Sequence, residues 1–385
     1  MLIYWETVGG KNMIIGVPKE IKNWENRVSL IPSGVKTLVD NGHIVLVQST
    51  AGLGSGFTDE EYENAGAKIV PSIEDVYKKA DMVIKVKEPQ RSEYDHLREG
   101  QLLFTYLHLA VEPELTNALL KHKSNSIAYE TIQTANGELP LLTPMSEIAG
   151  RMAVQIGATI LENPHGGRGV LLGGVPGVMP ADVVIIGGGV VGLNSAKIAY
   201  GMGANVTVLD LNLNKLRYID DIFHGKVRTL MSNSVNISEC AKYADLLIGA
   251  VLIPGHKAPS LVTEEMVKQM KKGSVIVDVA IDQGGIFETI DRVTTHESPV
   301  YEKHGVIHYS VANIPGAVAR TSTIALTNST LPYILKLANQ GFIKAVKTCE
   351  ELAKGVNTCQ GHLVSKPVAD SLKIEHRELS LIIGF

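Results

Sequence analysis

The chain is short of cysteine, has no excess of either charge and contains no long apolar run, and each shortage removes a class of protein from consideration. Its three cysteines, Cys240, Cys349 and Cys359, are odd in number and show no C-x-x-C spacing. That excludes a disulfide framework and points to free thiols in a reducing cytoplasm. A formal net charge of -4 offers no basic footprint for nucleic acid. No apolar stretch reaches the ~20 residues of a membrane-spanning helix before glycine, proline or charge interrupts it. Repeats and low-complexity tracts are also missing. The first twelve residues, MLIYWETVGGKN, lack the basic and apolar regions of a secretory signal, so they read as a tail outside the fold, with Met13 opening the first strand.

What remains is the composition of a soluble α/β protein: 45% hydrophobic, 20% charged and 37 glycines in 385 residues, enough for about two domains. Short apolar runs alternate with helical stretches. The first series is IIGV, HIVLVQ, MVIKV, LLFTYL and SIAYE; the second is DVVIIG, NVTVLD, KVRTLM, ADLLIGAV, SVIVDVA and VIHYSV. Strands separated by helices predict parallel, doubly wound sheets, here two of them. Two long apolar-periodic helices, near residues 144–162 and 321–340, are expected to carry the chain from one domain to the other. The predicted organisation is a tail (1–12), a discontinuous substrate and catalytic domain (13–141 and 321–385, the latter helical), and an inserted dinucleotide-binding domain (142–320). Residues 166–180, rich in glycine and proline, read as a loop with a short hairpin.

Residues 183–210, VVIIGGGVVGLNSAKIAYGMGANVTVLD, present a strand, a glycine turn, a helix and a second strand ending in an acid. Gly187, Gly189 and Gly192 form G-x-G-x-x-G, which leaves room for a pyrophosphate and for close helix packing. The helix then directs its first N–H groups at the phosphates. Asp210 stands where a carboxylate binds the adenosine ribose and repels a 2′-phosphate, which favours NAD over NADP.

In open α/β sheets ligands bind beyond the carboxyl ends of the strands. Arg27, Lys87, His108 and Glu130 follow strands of the first series, and Asp282 follows SVIVDVAI in the second. Arg27 suits a carboxylate clamp, and Lys87, alternating with Lys85, suits a carbonyl polariser. His108 is a natural acid–base group, and Asp282 an anion beside the cofactor. Each also has an ordinary explanation: a surface arginine, a solvated strand end, a core histidine, a turn cap. Taken together beside a hydride carrier, they suit reduction of a 2-oxo acid or its imine. The expected fold is therefore two doubly wound Rossmann-like domains with the active site in the cleft between them.

The segments GVPKEIKNWENRVSLIPSGV, LLFTYLHLA, LPLLTPMSEIAGRMA, VDVAIDQGG and VANIPGAVARTST make the chain similar to the L-alanine dehydrogenases, in the superfamily they share with pyridine nucleotide transhydrogenases. The resemblance runs from Met13 to about His362. It implies NAD-dependent, reversible deamination of L-alanine to pyruvate and ammonium. It implies substrate binding by Arg27 and Lys87, and proton transfer by His108 and Asp282. The cofactor contacts it implies fall on Ser146, Val190, Val191, Asp210, Lys215, Ser232, Val251, Leu252, Val279, Ala280, Ile281, Asp282, Val311, Ala312, Asn313 and Ile314, together with the three glycines. It also implies a hexamer. Trp24 departs from the family pattern, in a loop where a polar residue is more usual. A metal role for Glu130 stays open, as does the division of proton transfer between His108 and Asp282. The rival readings are the NAD-binding part of a transhydrogenase, a saccharopine-forming lysine dehydrogenase, and an NAD-binding sensor without turnover.

Overall fold

Residues 12–251 and 260–384 are described by a computed structural model, in which the chain divides into two units, Met1–Met145 with Val318–Phe385, and Ser146–Ala317. The divisions fall at 145/146 and 317/318, where the sequence suggested 141/142 and 320/321. One lies inside the helix Thr143–Ile160 and the other just ahead of the helix Ala319–Gln340. The second long helix thus belongs whole to the first unit.

In the first unit the parallel strands are β1 (Ile14–Val17), β2 (Ile44–Gln48), β3 (Lys68–Val70), β4 (Met82–Ile84), β5 (Leu102–Thr105) and β6 (Asn125–Ala128). They lie in the order β3-β2-β1-β4-β5-β6, the dinucleotide-fold order in which the chain reverses direction beside β1. β4, β5 and β6 are buried throughout, as a sheet covered on both faces demands. The C-terminal part, expected to be helical, also supplies two strands, β14 (Val356–Cys359) and β15 (His362–Leu363), which extend the sheet antiparallel beyond β6. VNTC is half polar, which conceals a strand in the sequence. Its polar groups are answered across the pair, where Ser126 and Thr358 hydroxyls lie 2.8 Å apart.

The second unit is built from β7 (Asp182–Ile186), β8 (Asn205–Asp210), β9 (Arg228–Met231), β10 (Leu246–Gly249), β11 (Val275–Asp278), β12 (Val300–Lys303) and β13 (Val306–Tyr309). Their order is β12-β13-β11-β10-β7-β8-β9, and β12, unanticipated in the sequence, pairs antiparallel at one edge. The other six repeat the order of the first unit. One apolar cluster, including Val183, Ile185, Leu246 and Val275, covers one face, and another, with Val184, Ile186, Leu247 and Ile276, covers the other. The alternation along each strand assigns these residues to their faces. In the expected loop, Val175 and Val178 form a single antiparallel bridge.

Two features of the second unit bear on its stability. The helix Thr143–Ile160 approaches Val190–Gly201 so closely that a β-carbon on Gly150 would lie 2.2 Å from the Val191 carbonyl oxygen, and the Ser195 hydroxyl donates to the Gly150 carbonyl at 2.9 Å. At an open helical site Gly→Ala stabilises by about 1 kcal/mol; here overpacking, at ~1–3 kcal/mol, reverses the sign. Gly150→Ala is expected to lower the melting temperature of the unit, measured by calorimetry.

At the end of β11, Asp278 is fully buried, accepting the Ala280 N–H at 2.9 Å and the Ile286 N–H at 2.8 Å. Burial outweighs these bonds and pushes its carboxyl up to about 6. The folded form therefore keeps a proton that the unfolded chain releases. The stability linked to that proton is complete below the ordinary aspartate value and is lost as pH rises through about 6. Wild type should lose stability relative to Asp278→Asn between about pH 4 and 6 and run parallel to it above that range, measured as unfolding free energy against pH.

Candidate active site

The first unit brings Arg27, Lys87, His108 and Glu130 to the carboxyl side of its sheet, in the segments after β1, β4, β5 and β6. Arg27 is almost wholly buried. Its Nε donates to Glu25 Oε1 at 2.7 Å and Nη2 to Oε2 at 2.5 Å, a two-point pair, while Nη1 donates to Met145 Sδ at 3.2 Å. Burial works against both charges. The pair overcomes it, holding the guanidinium above its ordinary value and the Glu25 carboxyl below the usual range. Glu25 was not anticipated. Its signal was present in the E-x-R spacing, which puts both side chains on one side of an extended segment.

Lys85 and Lys87 stand two residues apart, a spacing that would put them on one face of a continuous strand, but β4 ends at Ile84 and the two differ in burial. Lys85 is fully buried, its Nζ 3.1 Å from Glu20 and 3.0 Å from Glu93, and the Tyr77 hydroxyl donates to Glu93 at 3.1 Å. Burial raises the Glu20 carboxyl despite Lys85. Lys87 is half-buried, and its backbone is held on both sides. Its N–H lies 3.3 Å from Glu20 Oε1, and its carbonyl accepts the Thr105 hydroxyl at 2.9 Å. The strand-end lysine with access to a ligand is thus Lys87, and Lys85 is part of the wall behind it.

His108 is not a core histidine; its side chain is 46% exposed. Leu107 and Leu109 on either side are buried. Its ring stacks on Tyr106 at 6.0 Å, with planes 8° apart. Glu130, in the short turn Tyr129–Thr131, directs its carboxylate at the backbone before His108. Among the described residues no group of three or more His, Cys, Asp or Glu could hold a metal ion.

In the second unit the turn between β7 and the helix Val190–Gly201 is closed by contacts that only glycine permits. A β-carbon would lie 1.7 Å from the Gly187 carbonyl oxygen at Gly192, and 2.4 Å from the Ala250 carbonyl oxygen at Gly187. At Gly189 the nearest atom to such a carbon would be Lys215 Nζ, at 4.0 Å. The turn is therefore tight behind and open in front, the shape that a pyrophosphate at a helix N-terminus requires. Asp210 closes β8 and reaches back, accepting the Gly188 N–H at 2.6 Å and the Asn212 N–H at 2.7 Å, with Lys215 Nζ 3.7 Å away. The Ser232 N–H donates to the Asp210 carbonyl at 3.0 Å.

Of the remaining expected contacts that are described, all but Ser146 lie at the same carboxyl ends or just beyond them. Val190 is exposed, Val191 and Val251 are half-buried, and Val279 donates its N–H to the Gly249 carbonyl at 2.9 Å. Ala280 and Ile281 are buried. Asp282 does not follow the strand directly, since β11 ends at Asp278; it sits exposed in the turn Ile281–Gln283. Val311 and Ile314 are buried, Ala312 is half-buried, and Asn313 has a left-handed backbone with φ 61°. Ser146 is half-buried in the first turn of Thr143–Ile160. Leu252 lies outside the described residues. The donor set and the open turn fit a dinucleotide.

The chain was compared with known proteins. The model of the alanine dehydrogenase/PNT N-terminal domain matches residues 16–149, and that of the C-terminal domain matches residues 153–366. The alanine dehydrogenase of Methanococcus maripaludis is 64% identical over 357 residues, covering 93% of this chain and 96% of that one. That of Bacillus subtilis is 62% identical over 364 residues, covering 94% and 96%. A solved L-alanine dehydrogenase is 55% identical with a TM-score of 0.91, covering 94% of this chain and 99% of its own. A transhydrogenase structure from Sinorhizobium meliloti is 26% identical with a TM-score of 0.78, covering 92% and 99%. With both domain models matched in order and relatives this similar over nearly the whole length, the chain belongs to the alanine dehydrogenase/PNT family.

Proposed function

We propose that the chain catalyses the NAD-dependent, reversible oxidative deamination of L-alanine to pyruvate and ammonium. The observation that carries this reading is the pairing, in one chain, of a glycine turn open at Gly189 with a second sheet of the same strand order that carries Arg27, Lys87 and His108 at its strand ends. Gly187, Gly189, Gly192 and Asp210, with the flanking cofactor residues named above, would hold NAD, which would serve as the hydride acceptor.

The chain's own groups do the rest. Arg27, oriented by Glu25, binds the alanine carboxylate alongside that partner. Lys87 places an ammonium at the oxygen of the keto acid, where positive charge favours carbonyl polarisation. His108 moves protons as the amine is lost and water is added, as a general acid–base group. Asp282 steadies positive charge on nitrogen or shares the proton traffic. The reading includes a cytoplasmic location, supported by three buried free thiols that a reducing compartment preserves. Its hexameric state comes from the family resemblance. Among the described residues no helix is long and apolar enough to cross a membrane.

The test is NADH oxidation with pyruvate, with and without ammonium, against lysine plus 2-oxoglutarate as control. Oxidation that needs both pyruvate and ammonium supports the reading; activity confined to the control mixture overturns it. His108→Ala is expected to lower kcat by about 10²–10⁴ in a folded protein, and Lys87→Ala to weaken substrate binding as well. Asp210→Ser should raise the use of NADP relative to NAD, seen as the ratio of the two kcat/KM values.

A further inference from the structure

Glu130 has no part in the chemistry above, yet its carboxylate is bonded to the backbone that carries His108. Oε1 accepts the His108 N–H at 2.6 Å and the Leu107 N–H at 3.1 Å, and Oε2 lies 3.3 Å from the same Leu107 nitrogen. His108 itself has φ 50° and ψ 35°, a left-handed conformation uncommon for a residue with a β-carbon. Buried leucines pin the chain on both sides of it.

The carboxylate comes from a different element, the turn after β6, so it ties together the carboxyl ends of two neighbouring strands. Tyr129, next to Glu130, packs edge-on against Phe104 and Tyr106, whose centroids lie 4.5 and 5.0 Å away. This fixes the base from which Glu130 reaches. His108 Nδ1 is 4.0 Å from Oε1, too far for a hydrogen bond. The carboxylate therefore acts on the peptide and not on the ring.

We propose that Glu130 is a positioning residue for His108, holding its strained backbone, and so the direction of its imidazole, through two N–H bonds. This rests on the assignment of proton transfer to His108. Loss of the clamp lets the turn relax to an ordinary conformation and swings the ring away, while the residues assigned to substrate and cofactor binding keep their places.

The test compares Glu130→Gln, Glu130→Asp, His108→Ala and the double variant Glu130→Asp/His108→Ala, measuring kcat and the KM values for alanine and NAD. Glutamine keeps an acceptor at the same reach without the charge; aspartate keeps the charge and loses the reach. Glu130→Gln should retain most of kcat, and Glu130→Asp should lose about 10- to 100-fold, with both KM values little changed. In the His108→Ala background Glu130→Asp should add no further loss. Aspartate outperforming glutamine would show that charge matters and not the backbone bonds, and would overturn the proposal. An equal loss in both backgrounds, which a merely structural role produces, would overturn it too. Wild-type kcat in His108→Ala would instead remove the proton-transfer assignment on which the proposal rests.

Discussion

A carboxylate taken out of water must be met by donors, and this molecule uses that requirement to fix its loops. Glu20 accepts the N–H groups of Val86 and Lys87, Glu130 those of Leu107 and His108, Asp210 those of Gly188 and Asn212, and Asp278 those of Ala280 and Ile286. Each lies in or beside a segment that leaves the carboxyl end of a strand, where the ladder of backbone bonds stops and the next groups would otherwise go unpaired. An ionised acceptor makes a stronger bond than a neutral one, and two N–H groups on one carboxylate define a turn more narrowly than either could alone. The loops at these strand ends are thereby held without regular strand or helix pairing.

Both sheets place the reversal of chain direction beside their first strand, β1 in one unit and β7 in the other. Loops on either side of such a point diverge and leave a crevice. At its own crevice the first unit carries charged side chains, Arg27 after β1 and Lys87 after β4; at its own, the second carries glycines after β7. One architecture is thus specialised in two directions by the loops that leave its strands. The buried Arg27–Glu25 and Lys85–Glu20–Glu93 groups show the cost of putting charge there. The Arg27–Glu25 pair has the two-point geometry that offsets desolvation, whereas in the Lys85–Glu20–Glu93 group burial still raises the Glu20 carboxyl.

Much of this was legible in the sequence because the signals were local. The glycine spacing and the terminal acid of β8 lie within one unit of some thirty residues, and the apolar runs mark most strands without reference to partners. The positions of Arg27, Lys87, His108 and Glu130 after their strands were legible because strand ends can be counted. Partners that meet only in three dimensions were not: Glu20 and Glu93 reach Lys85 from separate segments, and nothing in VIKVK says which lysine faces inward. The buried acid Asp278 was not singled out because the apolar run continues past the point where the ladder ends. β3, β12 and β14 were missed for a related reason. They are short or half polar, and their stability comes from the neighbour they pair with and not from their own composition.

The interrupted first unit has a consequence for how the protein is made. Ser126 and Thr358, which face each other across β6 and β14, are 232 residues apart in the chain. On a ribosome, at about 5–20 residues per second, β6 waits roughly 10–50 s for its outer neighbour. During that interval the whole of Ser146–Ala317 emerges as one continuous stretch, free to fold first. The outer edge of β6 stays open throughout, a row of unpaired backbone groups on a nascent chain. Closing it is a late event of high contact order, open to the chain only once the whole of Ser146–Ala317 has been made.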